Sequence, residues 1–193
     1  PNSEYNSVNE FAFDVSDPHY TQAEGKGLRF AKGSMVSSSF SGLNPYTALP
    51  LPFFLDVNYS GNSVNTNGGN DHQIQIHYSD QNGSPVQLAD TIFRGFAAIR
   101  KTFTLNAQTM NSVSNISLSS LADPAFAGFS NNTLLHYSRF YYPHNLDLNN
   151  ESSFKITVSN ASGGPKQFFS FSNFNFGATN PVLLYDVTHG RKI

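Results

Sequence analysis

The chain has 193 residues, a formal net charge of −2 at pH 7 and 12% charged residues, about half of the usual fraction in globular proteins. It lacks the clusters of lysine and arginine that nucleic-acid phosphates require, and it has no apolar run of about 20 residues that could span a membrane. Because cysteine is absent, these residues form no disulfide framework, thiolate nucleophile or cysteine-based zinc site.

The uncharged residues favour strands over helices. The aromatic fraction is 14%, carried by 18 Phe and 9 Tyr, and the polar surface must come from Ser, Asn, Thr and Gln. Phe, Tyr and Thr suit half-buried pleated surfaces, whereas Asn, Gly and Ser suit turns. We therefore predict an all-β chain.

Alternation of apolar and polar residues, which is typical of a half-buried strand, places the strands along the chain. In chain order they are 10–15, 35–40, 52–59, 73–78, 86–92, 134–142, 153–158, 167–172 and 182–187. The stretch 96–121 also alternates, with Ile99, Phe103 and Leu105 on one face, and a short helical turn is predicted near 121–126. Asn82-Gly83 is the strongest hairpin signal, because both residues tolerate positive φ.

Many short strands separated by turns predict a jelly-roll-like antiparallel β-sandwich. No internal repeat or linker-like block divides the chain, so we predict one domain over residues 1–193. The expected core consists of Phe54, Ile74, Ile76, Phe103, Leu105, Ile116, Leu118, Leu135, Phe154, Ile156, Val158, Phe169, Phe171, Leu183 and Tyr185.

Two histidines, His72 and His77, are the first candidates for a metal site, with Asp71 and Asp80 beside them. Metal ligands must converge from one side. Positions 72 and 77 have opposite parity in a strand, so their imidazoles should point to opposite faces. We interpret them as polar residues at the two ends of an exposed strand.

Loop oxygens offer a second metal candidate. Asn67, Asn70 and Asp71, together with Asp80 and Asn82, could supply the hard oxygen ligands that calcium prefers. No loop has the Asp-x-Asp-x-Asp-Gly pattern with a terminal Glu. We interpret these residues as ordinary turn residues, and a calcium-binding loop is the alternative.

The sequence carries no recognisable hydrolase constellation. It has no Gly-x-Ser-x-Gly elbow, and Asp56, Asp90, Asp147 and Asp186 lie beside predicted strands without obvious pairing. We therefore predict no enzymatic activity, no catalytic residues, no cofactor and no bound metal.

Two aromatic clusters could stack on sugar rings. One is the run Phe140-Tyr141-Tyr142-Pro143-His144, and the other consists of Phe168, Phe169, Phe171, Phe174 and Phe176. Trp, the preferred stacking residue, is absent. In the second cluster Phe alternates with Ser and Asn, which favours core packing over a binding platform.

The C-terminal half carries a family pattern. It reads LLHYSRFYYPHNLDL over 134–148, continues through a Phe-rich segment and closes with PVLLYDVT over 181–188. This resembles the β-domain that precedes the peptidase domain in gingipain-related cysteine peptidases of the type IX secretion system of Bacteroidetes. His144 stands where the family pattern has Arg, and His189-Gly190 replaces its usual Asp-Pro.

The resemblance implies a non-catalytic accessory domain of a larger exported protein, secreted or associated with the outer membrane or cell surface. The family's catalytic His and Cys lie in a following domain, so none is carried over. Asp186 and Thr188 would be structural, fixing the exit of the last strand. The implied partners are neighbouring domains of the same polypeptide, with a cell-surface protein or a glycan as further candidates. The alternative is a carbohydrate-binding β-sandwich module.

Overall fold

The computed structural model describes residues 2–7, 27–65, 68–79, 83–121, 132–155, 169–175, 177, 183, 185–186 and 190–192. The chain divides into two compact units, Pro1–His144 and Asn145–Ile193. The expectation of a single domain over 1–193 stays a prediction. No helix within the described residues has the length and apolar character needed to cross a membrane.

The first unit is built from antiparallel strands and one short 3₁₀ helix. The strands are β1 Asn2–Ser7, β2 Leu28–Ala31, β3 Met35–Phe40, β4 Pro52–Gly61, β5 His72–Ser79, β6 Pro85–Phe93, β7 Ala98–Asn106, β8 Ser114–Ser120 and β9 Asn132–Tyr142. The 3₁₀ helix, Ala107–Thr109, begins where the Asn106 side chain accepts a hydrogen bond from the Gln108 N–H. The second unit contains the short pair β10 Tyr185–Asp186 and β11 Arg191–Lys192.

Two sheets form the first unit. Sheet A has the order β1-β9-β4-β7, and β2 pairs with the first half of β9 while β1 pairs with the second half. Sheet B has the order β3-β8-β5-β6. Every strand pair is antiparallel. The prediction of a jelly-roll-like antiparallel β-sandwich is confirmed.

Aromatic rings from both sheets meet in the core between them. Phe140 of β9 is completely buried and lies 4.5 Å from Phe40, 5.8 Å from Phe53 and 6.1 Å from Tyr78, measured between ring centroids. Phe40 and Tyr78 belong to sheet B, whereas Phe53 and Phe140 belong to sheet A. These edge-to-face and tilted contacts join the two layers.

Alternation located the strands of the first unit well. β3 has the predicted bounds, and β4, β5, β6 and β9 each extend their predicted ranges by one or two residues. The predicted strand 10–15 and residues 122–126 of the predicted helical turn lie outside the described residues. Residues 153–155 and 169–171 form no strand, Ser172 makes a single bridge with Asp147, and 182–187 is represented by β10.

The predicted core was partly right. Ile74, Ile76, Ile116, Leu118 and Leu135 are buried, and Phe103 and Leu105 are partly buried against them. The prediction was wrong for the exposed residues Phe54, Phe169, Phe171, Leu183 and Tyr185. Phe154 is half-buried, and Ile156 and Val158 lie outside the described residues.

The error at Phe54 has a simple cause. β4 contains the adjacent pair Phe53-Phe54, and strand side chains point alternately to opposite faces. Phe53, Leu55 and Val57 are completely buried, so Phe54 must face outwards, and it is 41% exposed.

Candidate functional site

The outer face of sheet A presents a block of nine side chains from its three neighbouring strands β9, β4 and β7. The register aligns them in three rows across the sheet. In order from β9 to β7, the rows are Tyr141, Phe54 and Thr104; Arg139, Asp56 and Thr102; and Tyr137, Asn58 and Arg100. We call these nine residues the outer face of sheet A.

A buried carboxylate lies at the centre of this face. Asp56 is only 1% exposed and accepts two hydrogen bonds from Arg100, from Nε at 2.8 Å and from Nη2 at 2.6 Å. The hydroxyls of Thr102 and Tyr137 each donate to Asp56 at 3.4 Å. The hydrogen bonds that Arg100 donates to Asp56, and the negative charge of Asp56, raise the pKa of Arg100 above its usual value. The ion pair therefore fixes the guanidinium against the sheet.

A second guanidinium lies between two tyrosine rings. The Cζ atom of Arg139 is 5.2 Å from the ring centroid of Tyr137 and 5.6 Å from that of Tyr141, within cation–π range. Arg139 also donates a hydrogen bond from Nη1 to the Tyr141 hydroxyl, which raises the pKa of Arg139. Burial, followed by the charge of Asp56, raises the pKa of Tyr137. Tyr137 therefore stays neutral near pH 7, and both arginines stay charged.

The first row of this face exposes aromatic surface to solvent. Phe54 is 41% exposed, and its register partner Tyr141 on β9 is half-buried. Directly paired residues on one face have Cβ atoms about 5 Å apart. The two rings therefore form an aromatic strip beside the charged second row.

The histidine interpretation requires a correction. The two imidazoles lie on opposite faces of β5 as expected, but His72 is completely buried rather than on an exposed strand. Its ring stacks on Phe93 with centroids 4.7 Å apart. Nε2 donates to the Ser63 carbonyl at 3.0 Å, and Nδ1 lies 3.4 Å from the Thr133 hydroxyl. The even-numbered positions of β5 face the core, which is why His72 is inside.

Burial lowers the pKa of His72, because the charged ring would lose its hydration. The Ser63 carbonyl and Asp71 oppose this effect without cancelling it. A group with a lowered native pKa binds protons more readily in the unfolded chain. Its contribution to stability is therefore complete above about pH 6.5 and declines as the pH falls below that value.

We expect the free energy of unfolding to fall between pH 7.5 and pH 5.5, and the fall to be smaller in His72→Gln. Urea unfolding at several pH values measures both slopes. His77→Gln makes the same change on the opposite face of β5, and its slope is the reference for that of His72→Gln. Equal slopes in wild type and His72→Gln would exclude His72 as the source.

The structure also changes the interpretation of the loop residues that were candidates for calcium binding. Asp71 is completely buried, and its two carboxylate oxygens accept hydrogen bonds from the backbone N–H groups of Asn65 at 2.6 Å and Gly95 at 2.7 Å. Asp71 thus ties two loops together. Asn70 is exposed, whereas Asn67, Asp80 and Asn82 lie outside the described residues. Within the described part of the chain, no three His, Cys, Asp or Glu residues gather as metal ligands do.

The aromatic run divides between core and surface. Phe140 and Tyr142 are buried, whereas Tyr141 lies on the outer face of sheet A. In the second unit, Phe169 and Phe171 are 38% and 40% exposed, with rings 6.2 Å apart and inclined by 18°. The preference for core packing in the second cluster was therefore wrong for these two phenylalanines, and Phe168 and Phe176 lie outside the described residues.

The carboxylates considered for hydrolysis have separate partners. Asp56 binds Arg100, Asp90 accepts from Gln73 and Gln75, and Asp147 accepts from Asn173. Each carboxylate is thus engaged in its own hydrogen bonds rather than paired with another acid. The side chain of Asp186 and the whole of Thr188 lie outside the described part of the chain.

Alternation in the sequence predicts part of the outer face of sheet A, although none of the candidate sites predicted from the sequence lies at its centre. In β4 the odd positions from Phe53 to Tyr59 are apolar, which places Phe54, Asp56 and Asn58 together on the opposite face. The partner Arg100 is 44 residues away along the chain, so alternation alone does not identify it.

Comparisons with known proteins show similarity of fold alone. No protein-family model and no curated protein matches the chain. It is similar to dimeric latent PorU from Porphyromonas gingivalis, with a TM-score of 0.53 and 8% identity over 75% of this chain and 13% of that chain. This match shows a shared fold, and our chain spans about an eighth of that protein's length.

Two further solved structures are more distant. TmCBM61 in complex with β-1,4-galactotriose has a TM-score of 0.42 and 10% identity, covering 63% of this chain and 73% of its own. The CBM36-1 domain of a multidomain xylanase from the hindgut metagenome of Trinervitermes trinervoides has a TM-score of 0.40 and 10% identity. It covers 72% of this chain and 97% of its own.

Proposed function

We propose that the chain is a non-catalytic, carbohydrate-binding β-sandwich whose site is the outer face of sheet A. The observation that carries the proposal is the aromatic strip formed by the exposed Phe54 and the half-buried Tyr141 beside the Asp56–Arg100 pair. Aromatic rings pack against the C–H groups on one face of a sugar ring. Fixed polar groups next to them then select the hydroxyl pattern.

The surrounding side chains suit this role. Asn58, Thr102 and Thr104 offer neutral hydrogen-bonding groups, and the ion pair holds Arg100 in place. A site that is rigid before binding loses less entropy when the ligand is ordered. Asp56, Asp90 and Asp147 each accept hydrogen bonds from different residues, which fits binding without hydrolysis.

Glycan binding should depend on Phe54. We expect Phe54→Ala to weaken binding of the best oligosaccharide from a broad glycan panel by about tenfold or more, which corresponds to ~1.4 kcal/mol. Titration calorimetry on the full chain measures the loss. The variant should remain folded, because Phe54 is not part of the core.

Two matched variants locate the effect. Ile92→Ala removes a 51% exposed side chain from β6 of sheet B and should leave binding unchanged. Phe169→Ala removes an exposed ring from the second unit. If Phe169→Ala abolishes binding and Phe54→Ala does not, the site lies in the second unit. Binding to no member of the panel would refute the proposed function.

The second candidate is the accessory role in a gingipain-like, type IX secretion-associated exported protein. The observation in its favour is the fold shared with a segment of PorU, joined to the sequence resemblance of the C-terminal half. Reading the coding sequence past Ile193 tests it. Continuation into a domain with a peptidase-like His and Cys supports the role, and a stop codon soon after Ile193 contradicts it.

A further inference from the structure

The outer face of sheet A is positively charged in a chain of net negative charge. Its described side chains include two guanidinium groups, Arg100 and Arg139, and one carboxylate, Asp56, while the other six carry no formal charge. Two positive charges against one negative charge give +1 for this face, whereas the whole chain carries −2. The formal charge of these nine residues therefore favours an anionic ligand over a cationic one.

Arg100 has hydrogen-bonding capacity left after it binds Asp56. A guanidinium has five N–H donors, and Asp56 takes one from Nε and one from Nη2. Three N–H donors remain, two on Nη1 and one on Nη2. One from each nitrogen can bind a second carboxylate with two parallel hydrogen bonds at the tip of the guanidinium group. The side chain of Arg100 is 62% exposed, so this end is accessible to solvent.

We propose that the sugar bound by the outer face of sheet A carries a carboxylate, as uronic acids do, and that Arg100 binds that carboxylate. This inference rests on the proposed glycan-binding function and specifies its substrate class. The aromatic strip then supports a sugar ring, and the guanidinium selects the acidic form.

The spacing of the rows suits an oligosaccharide. Asp56, against which Arg100 is held, lies two residues from Phe54 on β4, which is ~7 Å along a strand. The stacking surface and the carboxylate site are therefore adjacent but separate. A chain of at least two sugar residues can contact both at once.

The test compares acids with their neutral esters. The probes are tetragalacturonate and tetramannuronate, each beside its methyl ester, which keeps the ring and removes the charge. We expect at least one acid to bind about tenfold more tightly than its ester at 50 mM salt, and the advantage to shrink at 500 mM as the charges are screened. Titration calorimetry measures both ratios.

Arg100→Lys is the informative variant. Lysine keeps a positive charge opposite Asp56 but lacks the planar fork, so the variant should fold and lose most of the preference for the acid. Its affinity for the ester should fall much less than its affinity for the acid, so the acid-to-ester ratio is the readout. Thermal unfolding checks that the variant is folded. If it is not, the ratio of acid affinity to ester affinity in the wild type still tests the proposal.

The outcomes separate the two claims. Esters that bind as tightly as acids, in a manner sensitive to Phe54→Ala, would overturn the carboxylate assignment and leave glycan binding intact. Tighter binding of a sulfated galactan tetrasaccharide than of either uronate would also overturn it. If neither the acids, the esters nor the wider panel bind, both claims fail.

Discussion

Replacing Phe140 with alanine is expected to lower the free energy of unfolding by about 3–5 kcal/mol, the usual cost of removing a fully buried phenylalanine. Phe140 has no exposed surface, and its ring contacts Phe40, Phe53 and Tyr78. Truncation would leave a cavity between the sheets, because the surrounding rings belong to strands that cannot collapse independently. Urea unfolding followed by circular dichroism measures the loss.

Phe54→Ala is the matched control for this substitution. It makes the same chemical change on the adjacent strand of the same sheet, but at a side chain that is 41% exposed. We expect it to cost much less than Phe140→Ala, about 0.5 kcal/mol. Similar losses for the two variants would mean that the outer face of sheet A is buried in solution, which would also remove the proposed binding site.

Gly61→Ala should be destabilised by about 3 kcal/mol or more, near the upper end for forced overpacking. A Cβ atom at position 61 would lie 1.8 Å from the Gly95 carbonyl oxygen and 2.7 Å from Nε2 of His72. The first neighbour is backbone, so it cannot move aside by changing a rotamer. The end of β4 or the loop at Gly95 must shift, and Gly95 also donates to Asp71.

Gly42→Ala separates this steric effect from the general cost of replacing a glycine. Gly42 has φ of +72°, and a Cβ atom added there would have no heavy atom of the described residues within 4 Å, so only its backbone conformation resists the change. We expect a loss of about 1–2 kcal/mol there, measured by the same urea unfolding. If Gly61→Ala costs no more than Gly42→Ala, the close approach of β4 to Gly95 does not exist in solution.

The fold class and most strand positions of the first unit could be predicted because one sheet face is buried and the other is polar. β5 is the clearest example: its even positions from His72 to Tyr78 are buried and its odd positions are half-buried. Prediction failed where apolar residues are adjacent, as at Phe53-Phe54, because period-two alternation then permits either register. It also failed for Phe169 and Phe171, where the exposed segment forms no strand.

The candidate site was harder to predict because it is made by pairing between distant strands. Asp56 has no obvious partner in the sequence, and only the alignment of β4 with β7 brings it to Arg100. Arg139 lies in a segment of β9 whose aromatic residues, rather than its arginine, suggested a binding site. Only the pairing of β9 with β4 places Arg139 opposite Asp56. Strand order is set by the whole chain, so no local pattern reveals such neighbours.

The alternation within β9 assigns the hydrophobic core and the proposed binding face to different residues of the same strand. Its even positions Phe140 and Tyr142 hold the two layers together, while its odd positions Tyr137, Arg139 and Tyr141 lie on the outer face of sheet A. Under the proposed function, a randomised library confined to Arg139 and Tyr141, the outward positions that are half-buried rather than buried, would therefore sample new specificities without changing the hydrophobic interior. Under the proposed function, ligand preference and fold stability are therefore encoded by different, interleaved codons of β9.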